Sequence, residues 1–329
     1  MTAMKDAAAA LSHWFDTQQR TLPWRHERTP YRVWVSEIIL QQTQVVTAAP
    51  YFERFIERFP TVGSLAQADL DDVLSAWQGL GYYRRARLLH QAAQQVMTHH
   101  DGRLPKTVPE LQQLPGIGAY TARAIAAFAY GQRTVAVDGN VRRVGARLLA
   151  EPNPRDTDLQ DHLDDLLPKH RPERGTEALI ELGATVCTVK EPHCHPCPLR
   201  HVCRGQDAWW AYPAARKRTP PTSVHHYAQI WLDGDRVWLE RRPDDMPLGG
   251  QWGPPQSDQP THGRTVTTVR HAFTHRKLTV DVAIMPDHPP RGREGRFVNA
   301  HEATQLALSS LDRKILAALH DHGLLPWEV

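Results

Sequence analysis

The chain has 329 residues, 41% of them hydrophobic and 23% charged, which excludes a wholly disordered polypeptide and supplies enough apolar material for sizeable cores. No run approaches the roughly 18 consecutive apolar residues of a membrane-spanning helix, and a net charge of +3 is too small to name a partner. The length is about twice that of an ordinary domain, so two domains are expected.

In chain order, the spacing of apolar residues predicts helices almost exclusively up to residue 205. Met1 to Ala10 lacks a signal peptide's apolar core and cleavage site, so a cytoplasmic protein is expected. Helices are predicted over 7–18, 31–42, 50–59, 70–79 and 84–99, then 105–113 and 120–130 around a glycine-containing turn, and finally 141–149, 158–167 and 176–188. Residues 206–224, broken by Pro213, Pro220 and Pro221, read as a linker. Beyond it the period changes. Residues 227–232, 236–240, 265–273 and 277–284 are rich in β-branched side chains and read as strands. Helices near 303–308 and 311–320 close a second domain, 225–329, of α/β or α+β type.

Cys187, Cys194, Cys197 and Cys203 are the only cysteines, and they fall within 17 residues. Without a signal peptide, such clustering points to metal ligation rather than to a disulfide framework. Four thiolates can hold zinc or an iron–sulfur cluster. Only Cys194 and Cys197 have the close spacing of a zinc knuckle, which favours the cluster over zinc. Lys190, His193, His195, Arg200 and His201 crowd the same loop: either an ordinary solvated face or a cationic surface for a phosphate backbone.

Leu114-Pro115-Gly116-Ile117-Gly118 lies between two predicted helices. Glycines at Gly116 and Gly118 let a partner approach the backbone closely, and the helix N-terminus beyond them suits one DNA phosphate. Twenty residues on comes Val137-Asp138-Gly139-Asn140. Asp138 alone reads most simply as a helix cap.

A helix–hairpin–helix, then an aspartate, then a four-cysteine loop is an order that resembles the endonuclease III superfamily of base-excision glycosylases. Within it the chain is similar to the MutY adenine DNA glycosylase family. The similarity is carried by Leu22-Pro23-Trp24-Arg25, Ser36-Glu37, Leu40-Gln41-Gln42-Thr43, Gly79-Leu80-Gly81-Tyr82-Tyr83, Ala136-Val137-Asp138-Gly139-Asn140 and Glu181-Leu182-Gly183-Ala184. It implies a mainly α glycosylase domain over 1–205 with a 4Fe–4S cluster on the four cysteines, and a smaller Nudix-like domain for lesion recognition. The implied partner is double-stranded DNA with adenine opposite 8-oxoguanine or guanine, bound by a monomer, nucleoid-associated in a bacterium.

The resemblance assigns roles. Breaking an N-glycosidic bond needs an acid to protonate the departing purine and a carboxylate to stabilise the cationic sugar. Glu37 and Asp138 match that pair, and the apolar neighbours Trp34, Val35, Ile38 and Ile39 would raise the pKa of Glu37. Tyr120 stands where strand-cleaving relatives carry the Schiff-base lysine, so base removal without efficient lyase activity is expected. Asn140 would position Asp138 or water. Since a base must leave the duplex to be reached, Gln42 and Tyr82 match the inserting residues, while Trp24, Arg25 and Glu177 match the adenine pocket. Thr176 departs from the family's usual Asn before Glu177.

In the second domain, Phe273-Thr274-His275 is similar to the family's Phe-Ser-His element for 8-oxoguanine, with Thr in place of Ser. Leu248-Gly249-Gly250-Gln251-Trp252 departs from the usual pattern. No Arg-Glu-x-x-Glu-Glu run exists to hold magnesium, so nucleotide hydrolysis is not expected. Two other readings stay open: an endonuclease III-like glycosylase with a different lesion, and a mismatch-binding protein without catalysis.

Overall fold

The computed structural model describes residues 2–215, 220–243, 248–273, 275–290, 292 and 294–328. The chain forms two compact units, Met1–Gln67 with Gln91–Lys217, and Ala68–His90 with Arg218–Val329. The second unit therefore includes a segment from the predicted helical half.

The helices up to residue 205 are α1 (Thr2–Gln18), α2 (Pro30–Leu40), α3 (Val45–Arg58), α4 (Val62–Gln67), α5 (Leu70–Ala76), α6 (Arg84–His99), α7 (Val108–Leu111), α8 (Ala119–Tyr130), α9 (Gly139–Leu149), α10 (Asp156–Asp164) and α11 (Glu173–Thr185). Local chemistry sets several ends. The Thr29 side chain caps α2 by accepting from the Arg32 N–H, with Pro30 preorganising the first turn. Thr107 and Glu110 form a reciprocal capping box on α7, and Gly131, at φ 63°, ends α8. Ala7, Leu11 and Phe15 of α1 share one core with Val141 and Val144 of α9 and Leu179 and Leu182 of α11. In the same unit α2 packs on α8.

Helix α3 starts at Val45, five residues before the expected start at Pro50. A proline at that depth removes the hydrogen bond to the Val46 carbonyl, and Val46 is 77% exposed, so water can take that place. The expected linker is structured at both ends: a 3-10 helix covers Gln206–Ala211 in the first unit, and a strand begins at Thr222 in the second.

In the second unit the strands are β1 (Thr222–Ile230), β2 (Leu232–Asp233), β3 (Arg236–Arg241), β4 (Trp252–Gly253), β5 (Gln256–Ser257), β6 (Arg264–Ala272), β7 (Arg276–Ile284) and β8 (Gly295–Val298), followed by α12 (Ala300–Gln305) and α13 (Ser310–Asp321). One sheet runs β5-β1-β7-β6. Its central pair β1 and β7 is parallel, from Thr222 opposite Arg276 to Ile230 opposite Ile284, and β6 pairs antiparallel with β7. In the other sheet β3 lies antiparallel to β2, β4 and β8. Ala228, Ile230, Val280 and Val282 meet Leu311, Ile315 and Leu319 of α13 in a core of their own. Asp312 closes a capping box with Ser309 and pairs, fully buried, with Arg242 at 2.6 Å. The unit is thus α+β with a mixed sheet.

Candidate active site

Ten of the side chains and glycines singled out in the sequence line a single cleft of about 990 Å³ in the first unit: Trp24, Arg25, Glu37, Gln42, Gly116, Gly118, Tyr120, Asp138, Asn140 and Glu177. They come from seven places in the chain, among them the 3-10 turn Pro23–Arg25 with Trp24 and Arg25, and the turn after α2 with Gln42. Helix α2 brings Glu37, the hairpin before α8 brings Gly116 and Gly118, α8 brings Tyr120, the start of α9 brings Asp138 and Asn140, and α11 brings Glu177.

Glu37 is only 6% exposed. Burial pushes its carboxyl up to about 7, against a smaller lowering by a hydrogen bond with Tyr120; the nearby carboxylates Asp138 and Glu177 add to the rise. The Tyr120 hydroxyl is raised well above its ordinary value by burial and by the same two acids, Glu37 and Asp138, so it stays protonated. Asp138 caps α9, its Oδ1 accepting from the Val141 N–H at 2.7 Å. Asp138 is thus both the cap of α9 and a lining residue of the cleft. Its Oδ2 accepts from Asn140 Nδ2 at 2.8 Å. Burial raises Asp138 overall, while these hydrogen bonds and Arg143 pull it back.

Around this pair the other walls are built by packing. Trp24 meets Phe52 edge-on at 5.8 Å while still facing the cleft, so it is both anchor and lining. Thr176 is fully buried, and its hydroxyl donates to the Thr134 carbonyl at 3.0 Å, tying α11 to the segment that leads into Asp138. Gly116 takes φ 77°, and a Cβ built on Gly118 would meet nothing within 4 Å, so the hairpin leaves room for an approaching partner. Gln42 has φ 56°, a left-handed conformation that costs a non-glycine residue on the order of 1 kcal/mol. Such strain is common where a side chain must be presented outward.

All four cysteines line one small pocket of the same unit, with Arg147, His193, Arg200 and Trp209, and none forms a disulfide. Arg147, 4% exposed, donates to Cys187 Sγ at 3.2 Å and to the Thr188 carbonyl at 2.7 Å, and lies over the Trp209 ring. Arg143 Nε donates to the Cys187 carbonyl at 2.7 Å. Among the described residues no three His, Cys, Asp or Glu side chains converge closely enough for a single metal ion. Four thiols gathered in one pocket are nevertheless a donor set whose chemistry fits a metal centre.

Residues 35–169 match the HhH-GPD superfamily of base excision DNA repair proteins, and 226–318 match a NUDIX domain. The adenine DNA glycosylase of Mus musculus is 32% identical over 95% of this chain and 77% of its own length; that of Mycolicibacterium smegmatis is 42% identical over 68% and 76%. The chain belongs to the adenine DNA glycosylases. Against the Rattus norvegicus adenine DNA glycosylase the identity is 44%, over 59% of this chain and 40% of that protein. A thermostable thymine-DNA glycosylase superposes with a TM-score of 0.59 at 24% identity, covering 63% of this chain and 97% of that one, and shares the fold.

As an adenine DNA glycosylase, the chain carries cleft residues that its motifs alone did not assign. Arg20, Arg28 and Glu181 also line the cleft. Glu177 and Glu181 stand four apart on α11 and so share one face, a spacing that could have pointed to both. The remaining candidates lie in the second unit. Tyr82 has φ 50° and is 44% exposed, in a turn where Gly79 and Gly81 also take positive φ. Phe273 packs partly against the core of that unit and meets His271 edge-on at 4.6 Å, while His275 is exposed. Thr274 lies outside the described residues.

Proposed function

We propose that this chain flips adenine out of duplex DNA and hydrolyses its N-glycosidic bond where adenine faces 8-oxoguanine or guanine. The observation that carries the reading is the pair Glu37 and Asp138. They lie in one cleft, one with its carboxyl pushed up to about 7 and the other held by the Val141 N–H and Asn140.

Protonated Glu37 delivers its proton to N7 of the flipped adenine, so the C1′–N9 electron pair leaves with a neutral base. Asp138, ionised, stabilises the oxocarbenium-like sugar. Glu37, now a carboxylate, takes a proton from the water that adds to C1′. Tyr120 keeps the Glu37 carboxyl oriented by their hydrogen bond and provides no amine, so the strand stays uncut. Asn140 holds Asp138. Trp24, Arg25 and Glu177 receive the base, and Gln42 and Tyr82 fill the gap it leaves. Gly116 and Gly118 let the hairpin amides reach a phosphate. Phe273, Thr274 and His275 read the opposite base. A DNA-bound location, the nucleoid in a bacterium, follows from this activity, with the enzyme acting as a monomer.

Cys187, Cys194, Cys197 and Cys203 would hold a 4Fe–4S cluster, whose part is to cross-link the loop and present its cations to the phosphate backbone. A single-turnover assay tests the whole reading: duplexes with adenine opposite 8-oxoguanine, guanine or thymine, followed by alkali to reveal abasic sites. Cleavage for the first two and not the third is expected. Strand cutting without alkali, or no preference for the opposite base, would overturn it.

A further inference from the structure

Three arginines and two glutamates interlock in the cleft, and the two acids are not equally committed. Glu181 is fully buried and saturated. Its Oε1 accepts from the Arg20 backbone N–H at 3.0 Å and from Arg20 Nε at 2.7 Å, and its Oε2 accepts from Arg20 Nη2 at 3.1 Å and Arg25 Nη2 at 2.9 Å. Glu177, one turn earlier on the same face of α11, is 7% exposed. Its Oε2 accepts from Arg28 Nη1 at 2.9 Å, while its Oε1 stands 3.7 Å from Arg25 Nε, beyond hydrogen-bond reach. A carboxylate offers about four acceptor positions, so Glu177 retains capacity that Glu181 has spent. Both Glu177 and Arg28 line the cleft, and Arg28 Nε is itself steadied by the Arg25 carbonyl at 3.3 Å.

Arg28 makes the shorter of the two ion pairs with the buried Glu177 carboxylate, 2.9 Å against 3.7 Å for Arg25. An ionised carboxylate accepts and cannot donate. It therefore rewards a base edge carrying an N–H and repels one carrying a carbonyl oxygen. Adenine presents an exocyclic amine at C6; hypoxanthine has the same ring system with a carbonyl there.

We propose that Arg28 is a positioning residue for base selection: by clamping Glu177 as an ionised acceptor, it makes the cleft require a 6-amino group on the purine it excises. The inference rests on the reading of the cleft as an adenine pocket.

The test compares single-turnover excision of adenine and of hypoxanthine, each opposite guanine, by the full-length protein and its variants. Comparing ratios between variants cancels each base's intrinsic leaving ability. Charge-assisted hydrogen bonds in such settings are worth roughly 10- to 100-fold, so Arg28→Met should shrink the adenine-to-hypoxanthine ratio by about tenfold or more. Most of that change should fall on adenine. Arg28→Lys, which keeps the charge and loses the planar fork, should restore part of it. In a Glu177→Gln background, Arg28→Met should leave the ratio within about twofold, because the group it clamps is gone. An equal loss on both bases, or an unchanged ratio at normal folding, would overturn the proposal, since a purely structural arginine predicts one or the other. If the wild-type protein removes neither base, the adenine-pocket reading itself fails, a result distinct from either.

Discussion

An acid that must give up a proton near neutrality needs surroundings that penalise its charge, and those surroundings tax the fold. Glu37 shows both sides. With its carboxyl raised to about 7, it is protonated below that pH and increasingly ionised above. Excision should therefore fall towards tenfold per pH unit above pH 7, and fall again at acid pH as Asp138 takes up a proton, in single-turnover rates at saturating enzyme. Glu37→Gln should lower the rate by about 10²- to 10⁴-fold while duplex affinity, measured by gel shift, changes little. The stability effect has a defined sign. A carboxyl whose folded-state pKa exceeds its unfolded one contributes fully below the ordinary carboxylate range, and that contribution is lost as pH rises through about 7. At pH 8 the buried charge costs on the order of 3 kcal/mol. Glu37→Gln should accordingly raise the melting temperature at pH 8 and leave it nearly unchanged at pH 4; an equal change at both would show that the carboxylate is not burdened in the fold.

Asp138 caps α9 through one oxygen, and the proposed mechanism gives its charge a second task. The cap needs only an acceptor at Oδ1, which Asn supplies about as well, whereas the sugar cation needs the negative charge. Asp138→Asn should keep stability within about 1 kcal/mol of wild type by denaturant titration while losing excision. A large loss of stability would mean that the charge, and not the hydrogen bond, is what holds α9. Neighbouring Tyr120 is where a lysine would change the chemistry: Tyr120→Lys is expected to yield a borohydride-trappable DNA adduct.

Among the elements, α9 and α11 decide how well the cleft is built. A Cβ on Gly183 would meet the Asn140 Cβ at 2.5 Å and its Cα at 2.9 Å, so the two helices touch through a glycine at the point where Asn140 holds Asp138. Gly183→Ala cannot be absorbed by a flexible side chain, because the opposing atoms include backbone. A loss of about 1–3 kcal/mol and a fall in excision larger than the fall in DNA affinity are expected, by denaturation and by kinetics. An Ala variant with both intact would show that α11 can slide. The Glu181-Leu182-Gly183-Ala184 run marked this region in the sequence, but the reason for its glycine became visible only with α9 against it.

Whole-molecule behaviour turns on which segments travel together. Ala68–His90, which carries Tyr82, clusters with Arg218–Val329 rather than with the helices on either side of it in sequence. Within that unit Arg241 Nη2 lies 3.4 Å from Asp71 Oδ1, and Arg87 donates to the Gly249 carbonyl. Cutting the chain near Ala215 would remove the body that this segment packs with, so point changes in the intact protein are the cleaner probe of the second domain. Phe273→Ala with His275→Ala should reduce the preference for adenine opposite 8-oxoguanine over adenine opposite guanine, with the rate on the guanine mispair near wild type. An undiminished preference would place lesion reading in the helical domain. For the cysteine pocket, purified protein should carry about four irons per chain, and zinc in their place would contradict the cluster.

Much of the molecule was legible because the relevant signals are local. Helical periodicity located α6 from Arg84 to His99, and the spacing of four cysteines singled out one loop before any contact was known. What stayed hidden was set by partners distant in sequence. The strands β4 and β5 are two residues each and have no room for an alternating pattern, and β1 joins β7 in parallel across some fifty residues, which no hairpin turn announces. The motif and the apolar neighbours of Glu37 pointed to a raised pKa, but the burial that produces it, the carboxylates Asp138 and Glu177 that add to it and the Tyr120 hydrogen bond that opposes it are assembled only when three other helices close around α2. Arg20 and Arg28 carried no mark at all, because an arginine acquires its role from the carboxylate it meets, and Glu181 and Glu177 lie about 150 residues further along the chain. The sequence by itself determined which acidic side chains are available; the packing of α2, α8, α9 and α11 decided that Glu37 is raised to about 7 and that hydrogen bonds oppose the rise at Asp138, because burial and neighbouring groups are properties of the assembled cleft.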